Sequence, residues 1–446
     1  MNISSIVSTL EQLGASPRKS FGQNFLHDKN MAKWIVDQLA IMPGDHVVEI
    51  GPGLGALTAN FAQLGVSATL LEKDKLFAEF VERTFSGDRI RVVKGDALEC
   101  DVREFFPLGT VKVVGNLPYY VSTPILFHFT AEPCPFERLV FTVQREVAER
   151  LVASPETKEY GAISVLLRAR WNIVRLRVLA ATLFFPRPQV DSAVIRLLRK
   201  PAQEMPEINW SQFSRLVKTG FAERRKKLRK NLSKLFPIDA IDGAFTAVGL
   251  SSLCRAEQLS EKKWVELARE LIPSLDEKSH PAEELALVDE SDRPIGTAER
   301  QTIHDQGLRH RAVHLFISNQ NGELFLQKRT WRKDQYPHRW DSSAAGHVDA
   351  GESYDECAQR ELSEELGISV NLDRVGGVTA SAKTGQEFIS IYRGNHDGPI
   401  EYDALEIETG GFFRLATIDA WVQNRPGDFA PGFLECYRAI RHKLVS

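Results

Sequence analysis

The stretch from Gly346 to Ile368, GHVDAGESYDECAQRELSEELGI, concentrates carboxylates at a spacing that can do chemistry. At about 100° per helical residue, Glu361, Glu364 and Glu365 fall on one face roughly 100° wide. Three carboxylates crowded there are costly unless cations neutralise them. Hard oxygen donors of this kind suit Mg²⁺ or Mn²⁺. Such ions bridge a diphosphate and activate water for attack on phosphorus, with Glu364 expected to take a catalytic part as well as a ligand's. Arg360 is expected to pair with Glu352 and brace the loop against the helix.

A second constellation lies in the first third of the chain. HVVEIGPGLGALT reads as a strand entering a glycine turn and then a helix. Gly51 and Gly53 let backbone approach a ligand, and a helix start favours anionic groups. The GxGxG spacing differs from the dinucleotide fingerprint GxGxxG. Glu72 ends the next strand, where a carboxylate can hold ribose hydroxyls. Asp96 ends the third, placed to accept from an adenine amine. GNLPYY ends the fourth: the Asn116 carboxamide oxygen can accept from an exocyclic amine, as can the carbonyl beside it, and Tyr119 offers a face for a purine. This arrangement leaves the nitrogen lone pair free to attack a methyl group, and the proton can leave afterwards. A set of helix caps and turn residues is the competing reading of each residue alone.

The elements that position these groups follow from apolar patterning. HVVEI, ATLLE, IRVVKGD, VKVVGN and RLVFTV are β-branched strand candidates alternating with helical stretches such as KLFAEFVERTF, which argues for a parallel α/β sheet. From residue 205 to 272 helical patterns take over. Residues 273–284, polar and Pro-flanked, read as a linker, and strands return in 285–446 around one helix over 353–366. A chain of 446 residues exceeds one ordinary core. Charge divides with the elements. Residues 1–270 carry 37 Lys/Arg against 30 Asp/Glu, and residues 271–446 carry 19 against 29. Within 161–230 there are 16 basic and 4 acidic residues, the footprint expected of a polyanion-binding surface. A solvated helix face is the alternative. The five scattered cysteines lack any CxxC spacing and suit reduced thiols. The N-terminus lacks the basic start and apolar block of a signal peptide, and no apolar run approaches membrane-spanning length, so a cytoplasmic location and no membrane partner are expected.

In order, RKSFGQNFL, VVEIGPGLGALT, LEKD, KGDAL, GNLPYYVSTPI, QREVAERL and FFPRPQVDSAVIRL resemble the KsgA family of rRNA adenine N6-dimethyltransferases. The resemblance covers residues 16–270. It implies a class I methyltransferase Rossmann-like fold over 1–204, with a small helical domain over 205–272, and S-adenosyl-L-methionine as cofactor. By that resemblance Asn24, Leu26, Gly51, Gly53, Glu72, Asp96 and Asn116 line the cofactor site. Asn116, Leu117 and Tyr119 hold the target adenine, and Phe184 stacks from the other side. The family dimethylates two adjacent adenines near the 3′ end of small-subunit rRNA, so the implied partner is that rRNA or the immature small subunit. GFAERRKKLRKNL reads as a helix ringed with cations, and Arg224, Arg225, Lys226, Lys227, Arg229 and Lys230 are the expected phosphate contacts.

The acidic stretch fits GX5EX7REUXEEXGU at every fixed position and looks like an intact Nudix box, implying a Nudix α/β/α domain that hydrolyses a small-molecule diphosphate. HDQGLRHRAVHLFI and WDSSAAGHV further resemble the isopentenyl-diphosphate-isomerase-like branch, whose true isomerases hold a metal at the positions of His304, His310 and His347. Such an isomerase needs a catalytic cysteine where Ala345 stands, so hydrolysis is the expected chemistry. Two alternatives stay open at this point: a ribosome-assembly factor acting by binding, and a regulatory or isomerase-like Nudix module.

Overall fold

A computed structural model of the chain describes residues 2–17, 22–85, 87–206, 208–272, 284–333 and 335–444. Two expectations therefore fall partly outside the described residues: Arg18 to Phe21 of RKSFGQNFL, and the linker apart from Glu284. The chain divides into two compact units, one built from residues 1–206 and 211–271, the other centred on 272–446.

In the first unit the expected β-branched runs become β1 (His46–Ile50), β2 (Ser67–Glu72), β3 (Ile90–Lys94), β4 (Val111–Asn116) and β5 (Phe136–Gln144). These five are parallel. Two further strands, β6 (Trp171–Leu179) and β7 (Ser192–Arg199), run antiparallel and give the order β3-β2-β1-β4-β5-β7-β6. The sequence reading does not include β6, and the reason is visible: as an edge strand it turns Arg175 and Arg177 to solvent, which breaks its apolar run. Successive residues of a strand face opposite sides. Accordingly Val113 packs in one apolar cluster with Phe129, Phe136 and Phe141, and Val114 in another with Ile35, Val47 and Leu70. Strand order reverses at β1, and in such sheets ligands bind beyond the carboxyl ends at that point.

The helical segment supplies α1 (Trp210–Phe221), α2 (Leu228–Leu232), α3 (Ile238–Val248) and α4 (Glu261–Leu271), all grouped with the sheet unit apart from the first residue of α1. Trp264 of α4 is fully buried and stacks on Phe221 with centroids 5.5 Å apart. A Cβ on Gly220 would collide with its indole, so glycine lets the two helices approach.

In the second unit β10 (His310–Ser318) is the spine of a mixed sheet, preceded by the hairpin β8 (Glu284–Val288) and β9 (Pro294–Glu299). It pairs along its length, in parallel, with β15 (Glu387–Asn395), and antiparallel with β11 (Glu323–Arg329) and β13 (Ala344–His347). Short β12 (Trp340–Asp341) and then β16 (Ile407–Arg414) extend it on β11, and β14 (Asp373–Val378) on β15. The acidic helix is α5 (Tyr354–Leu366). Ser353 and Glu356 form a capping box at its start, and Gly367 ends it in the left-handed conformation. Cys357, Ala358, Leu362 and Leu366 bury one face in the sheet's core. Among the described residues no helix is long and apolar enough to cross a membrane.

Candidate active sites

The glycine turn, the strand ends and the N-terminal segment of the first unit line one cleft. Its wall includes Asn24, Leu26, Gly51, Gly53, Glu72, Asp96 and Asn116. Gly51 adopts φ of 66°, and nothing lies within 4 Å of where its Cβ would be, so the backbone there is open to a ligand. The helix expected after the glycines is a single turn, Thr58–Phe61. The strand-to-glycine turn therefore shapes this end of the cleft, and a helix dipole contributes little. Glu72 is buried, accepting from Gly53 N–H at 3.0 Å and Asp74 N–H at 2.9 Å. Burial pushes its carboxyl up against those two bonds. Asp96 accepts from Leu98 N–H at 3.0 Å and from Lys73 Nζ at 2.6 Å. Partial burial works against its charge, but Lys73 and the N–H outweigh it and hold the carboxyl below its usual range. Asn116 donates Nδ2 to the Asn24 carbonyl at 2.8 Å. A carbonyl can only accept, so the amide is turned and Oδ1 is the atom left to take a hydrogen bond.

In the second unit the three expected metal carboxylates come together from one helix face, with unequal exposure: 12% for the Glu361 side chain and 45% for Glu364, with Glu365 nearly closed off. Glu365 accepts from Gln327 Nε2 at 2.9 Å and Ala345 N–H at 3.2 Å. Burial raises the carboxyls of Glu361 and Glu365, and the Glu365 charge helps push Glu361 up to about 8. Arg360 forms the expected fork on Glu352, at 2.9 and 3.0 Å, and also reaches Glu361, Glu364 and the His347 carbonyl. Lys333, partly buried and with its pKa driven down by that burial, pairs with Glu406 and feels the charges of Glu365 and Glu361.

Beside this helix, His304, His310 and His347 bring ligand atoms within 4.8 Å of one another. Glu387 Oε1 lies 3.7 Å from His310 Nε2 and 3.5 Å from His347 Nε2. The Nε2 atoms of His304 and His310 are buried with no hydrogen-bond partner. Burial, then the neighbouring imidazoles, lower His304 to about 4, so this imidazole stands neutral, with its Nδ1 accepting from Gln335 Nε2 at 2.7 Å. Burial opposes the Glu387 charge, but the histidines hold it well below the carboxylate range. Three imidazoles and a carboxylate with orphaned nitrogens fit a borderline divalent cation.

Residues 14–272 match the family model for ribosomal RNA adenine dimethylase, and residues 308–425 match that for the NUDIX domain. Over 275 residues the chain is 37% identical to the ribosomal RNA small subunit methyltransferase A of Bacillus cytotoxicus, covering 59% of this chain and 94% of that one. The protein of that name from Chlorobium phaeobacteroides is 38% identical over 259 residues, covering 58% and 95%. That of Myxococcus xanthus is 37% identical over 277 residues, covering 61% and 98%. The chain belongs to the ribosomal RNA adenine dimethylase family. It carries a NUDIX domain after the dimethylase part.

Within the dimethylase part, three expected base-holding residues stand off the cleft wall. Leu117 packs its side chain in the core and fixes its amide on the Thr142 carbonyl at 3.0 Å. Tyr119 directs its hydroxyl to Ser192 Oγ at 2.6 Å. Phe184 is 3% exposed, packed with Leu26 and Leu179, and its backbone pairs with Leu26.

The basic segment of this dimethylase is not the single helix its composition suggests. α1 stops at Phe221, a turn follows, and α2 begins at Leu228. Buried Asn231 explains the break: its amide donates to the Gly220 carbonyl at 2.7 Å and the Glu223 carbonyl at 3.2 Å, closing the helix end. Arg224 spends its guanidinium on Glu257 and on the Lys158 and Tyr160 carbonyls, and Arg229 is bidentate on Asp242. Lys226 pairs with Glu223. Arg225, Lys227 and Lys230 are exposed.

Sequence reasoning missed Glu49, 1% exposed in the cleft wall. Burial pushes it up to about 8, and Thr58 donates to it at 2.5 Å. The signal was an acid inside the strand HVVEI, two residues before the first glycine of the turn. Lys73 and Glu387 were also missed, because each acquires meaning only from a partner distant in sequence.

Proposed function

We propose that the first unit transfers methyl groups from S-adenosyl-L-methionine to N6 of two adjacent adenines in small-subunit (16S) rRNA, acting on the immature small subunit. The observation that carries this is the convergence of Glu72, Asp96 and Asn116, from three successive strand ends, on one cleft beside Gly51. The cofactor, when bound, supplies an electrophilic methyl. Glu72 suits its ribose and Asp96 its adenine amine. Asn116 Oδ1, turned outward by the Asn24 carbonyl, and the Leu117 carbonyl accept from the target amine and orient its lone pair. Tyr119 and Phe184 would have to turn out of their present packing to stack on the base. Arg225, Lys227 and Lys230 offer charge to the phosphates. The test is transfer of labelled methyl to immature small subunits, with modified positions mapped by mass spectrometry. Methylation of large-subunit rRNA alone would sink the assignment.

For the second unit we infer metal-dependent hydrolysis of a small-molecule diphosphate. Glu361, Glu364 and Glu365 suit Mg²⁺ or Mn²⁺, and the burial that raises the carboxyls of Glu361 and Glu365 is a cost that a bound cation would offset. His304, His310 and His347, with Glu387 beside them, form a second donor set, and the three histidines stand where the resemblance puts the metal of true isomerases. Ala345, whose N–H is spent on Glu365, offers no thiol for allylic protonation. A diphosphate panel on the full chain, with isopentenyl diphosphate included, tests this: phosphate release supports it, and isomerisation without release overturns it.

A further inference from the structure

Lys73 sits between Glu72 and Asp74 in the wall of the dimethylase cleft, and its ammonium spans the gap to Asp96. The two Asp96 oxygens are used differently. Oδ1 is committed to Leu98 N–H at 3.0 Å, part of the turn that follows β3. Oδ2 carries only Lys73, at 2.6 Å, and is the oxygen that can serve a ligand. The pair is half-open to water, with side chains 53% and 23% exposed. It is therefore a weak, breakable contact of the surface class.

We propose that Lys73 is a specificity-determining residue that competes with the cofactor's adenine amine for Asp96 Oδ2. This rests on the nucleoside reading of the cleft given above. An amine arriving at Oδ2 must share or displace the ammonium, which lowers affinity for the 6-amino purine. A 6-oxo purine meets the opposite situation: it presents an acceptor that the Asp96 carboxylate repels and that the Lys73 ammonium can satisfy. Lys73 thus narrows the gap between the two bases, and its removal widens it.

The test is equilibrium binding of S-adenosylhomocysteine and S-inosylhomocysteine to the full-length chain. Lys73→Met keeps the apolar stem and removes the charge. At low salt it tightens S-adenosylhomocysteine roughly two- to five-fold, the scale of an exposed ion pair, and does not tighten the inosyl compound. Added salt tightens the adenosyl compound on the unaltered chain and leaves the variant unmoved. In an Asp96→Asn background the gain disappears. Unchanged or weaker adenosyl binding by Lys73→Met, with the variant's circular dichroism intact, overturns the proposal. Binding of neither compound to either chain overturns the nucleoside reading itself, and the competition with it.

Discussion

A Cβ built on Gly346 would fall inside the carboxylate of Glu361. The strand end and the helix thus meet through the space glycine leaves empty, and no side chain can stand there without moving the carboxylate. Gly346→Ala is expected to lower metal-dependent phosphate release by about 100-fold or more, the scale on which misplaced catalytic groups act. Methyl transfer by the same preparation stays unchanged. Activity within two-fold of the parent would show that Glu361 can relocate freely.

Asn116 is oriented by a bond it donates, and in the proposed reaction it works through the oxygen left open. Asn116→Ala should lower methyl transfer on the order of 100-fold or more, as removal of one preorganised polar group at a reacting centre does. Cofactor binding should fall far less, since Glu72 and Asp96 remain. Equilibrium binding of S-adenosylhomocysteine beside single-turnover methylation separates the two effects. Equal losses in both would make Asn116 a cofactor residue only.

The basic turn divides into two classes. Arg225, Lys227 and Lys230 are exposed, whereas Arg224 and Arg229 are tied to Glu257 and Asp242. Replacing the first three with Ala should flatten the log–log salt dependence of rRNA binding by about 2 to 3, close to one for each phosphate left without its cation, without changing the melting temperature. Replacing Arg229 with Ala should lower the melting temperature instead. A reversed pattern would place the phosphates on the tied pair.

His46 opens β1, buried with Nδ1 on Ser67 Oγ and Nε2 on Thr69 Oγ1, both at 2.9 Å. Burial lowers it to about 4. Between the unfolded value near 6.5 and that folded value the unfolded chain binds more protons, so stability falls as pH drops through this window, by about 3 kcal/mol at most. Above it the group contributes no pH dependence. Urea midpoints of the first unit across this range, compared with those of His46→Gln, test the slope. An equally steep fall in the variant assigns it to other groups.

Much of the site chemistry was legible because it is local. Glycines and acids at strand ends, and carboxylates three and four apart on a helix, carry their geometry in their spacing. Glu361, Glu364 and Glu365 share a face for that reason alone. Pairings set by distant register were not legible. Gln327 and Ala345 on Glu365, Glu387 against the histidines, and Lys73 on Asp96 each join residues whose separation in sequence says nothing about distance. The basic segment shows the converse failure. Its composition reads as one helix, yet an asparagine eleven residues beyond Gly220 stops it, and helical periodicity cannot register a cap that arrives through tertiary structure.

That cap also bears on how tightly RNA can be held. A run of cations left to fluctuate would have to be ordered by the RNA at the moment of binding, and the entropy given up would be subtracted from affinity. Asn231, pinning the carbonyls of Gly220 and Glu223 from a buried position, sets the backbone course of the turn beforehand. On the proposed RNA contact, a polyanion would meet a surface whose backbone shape is already chosen, and the charge on it would be spent on attraction.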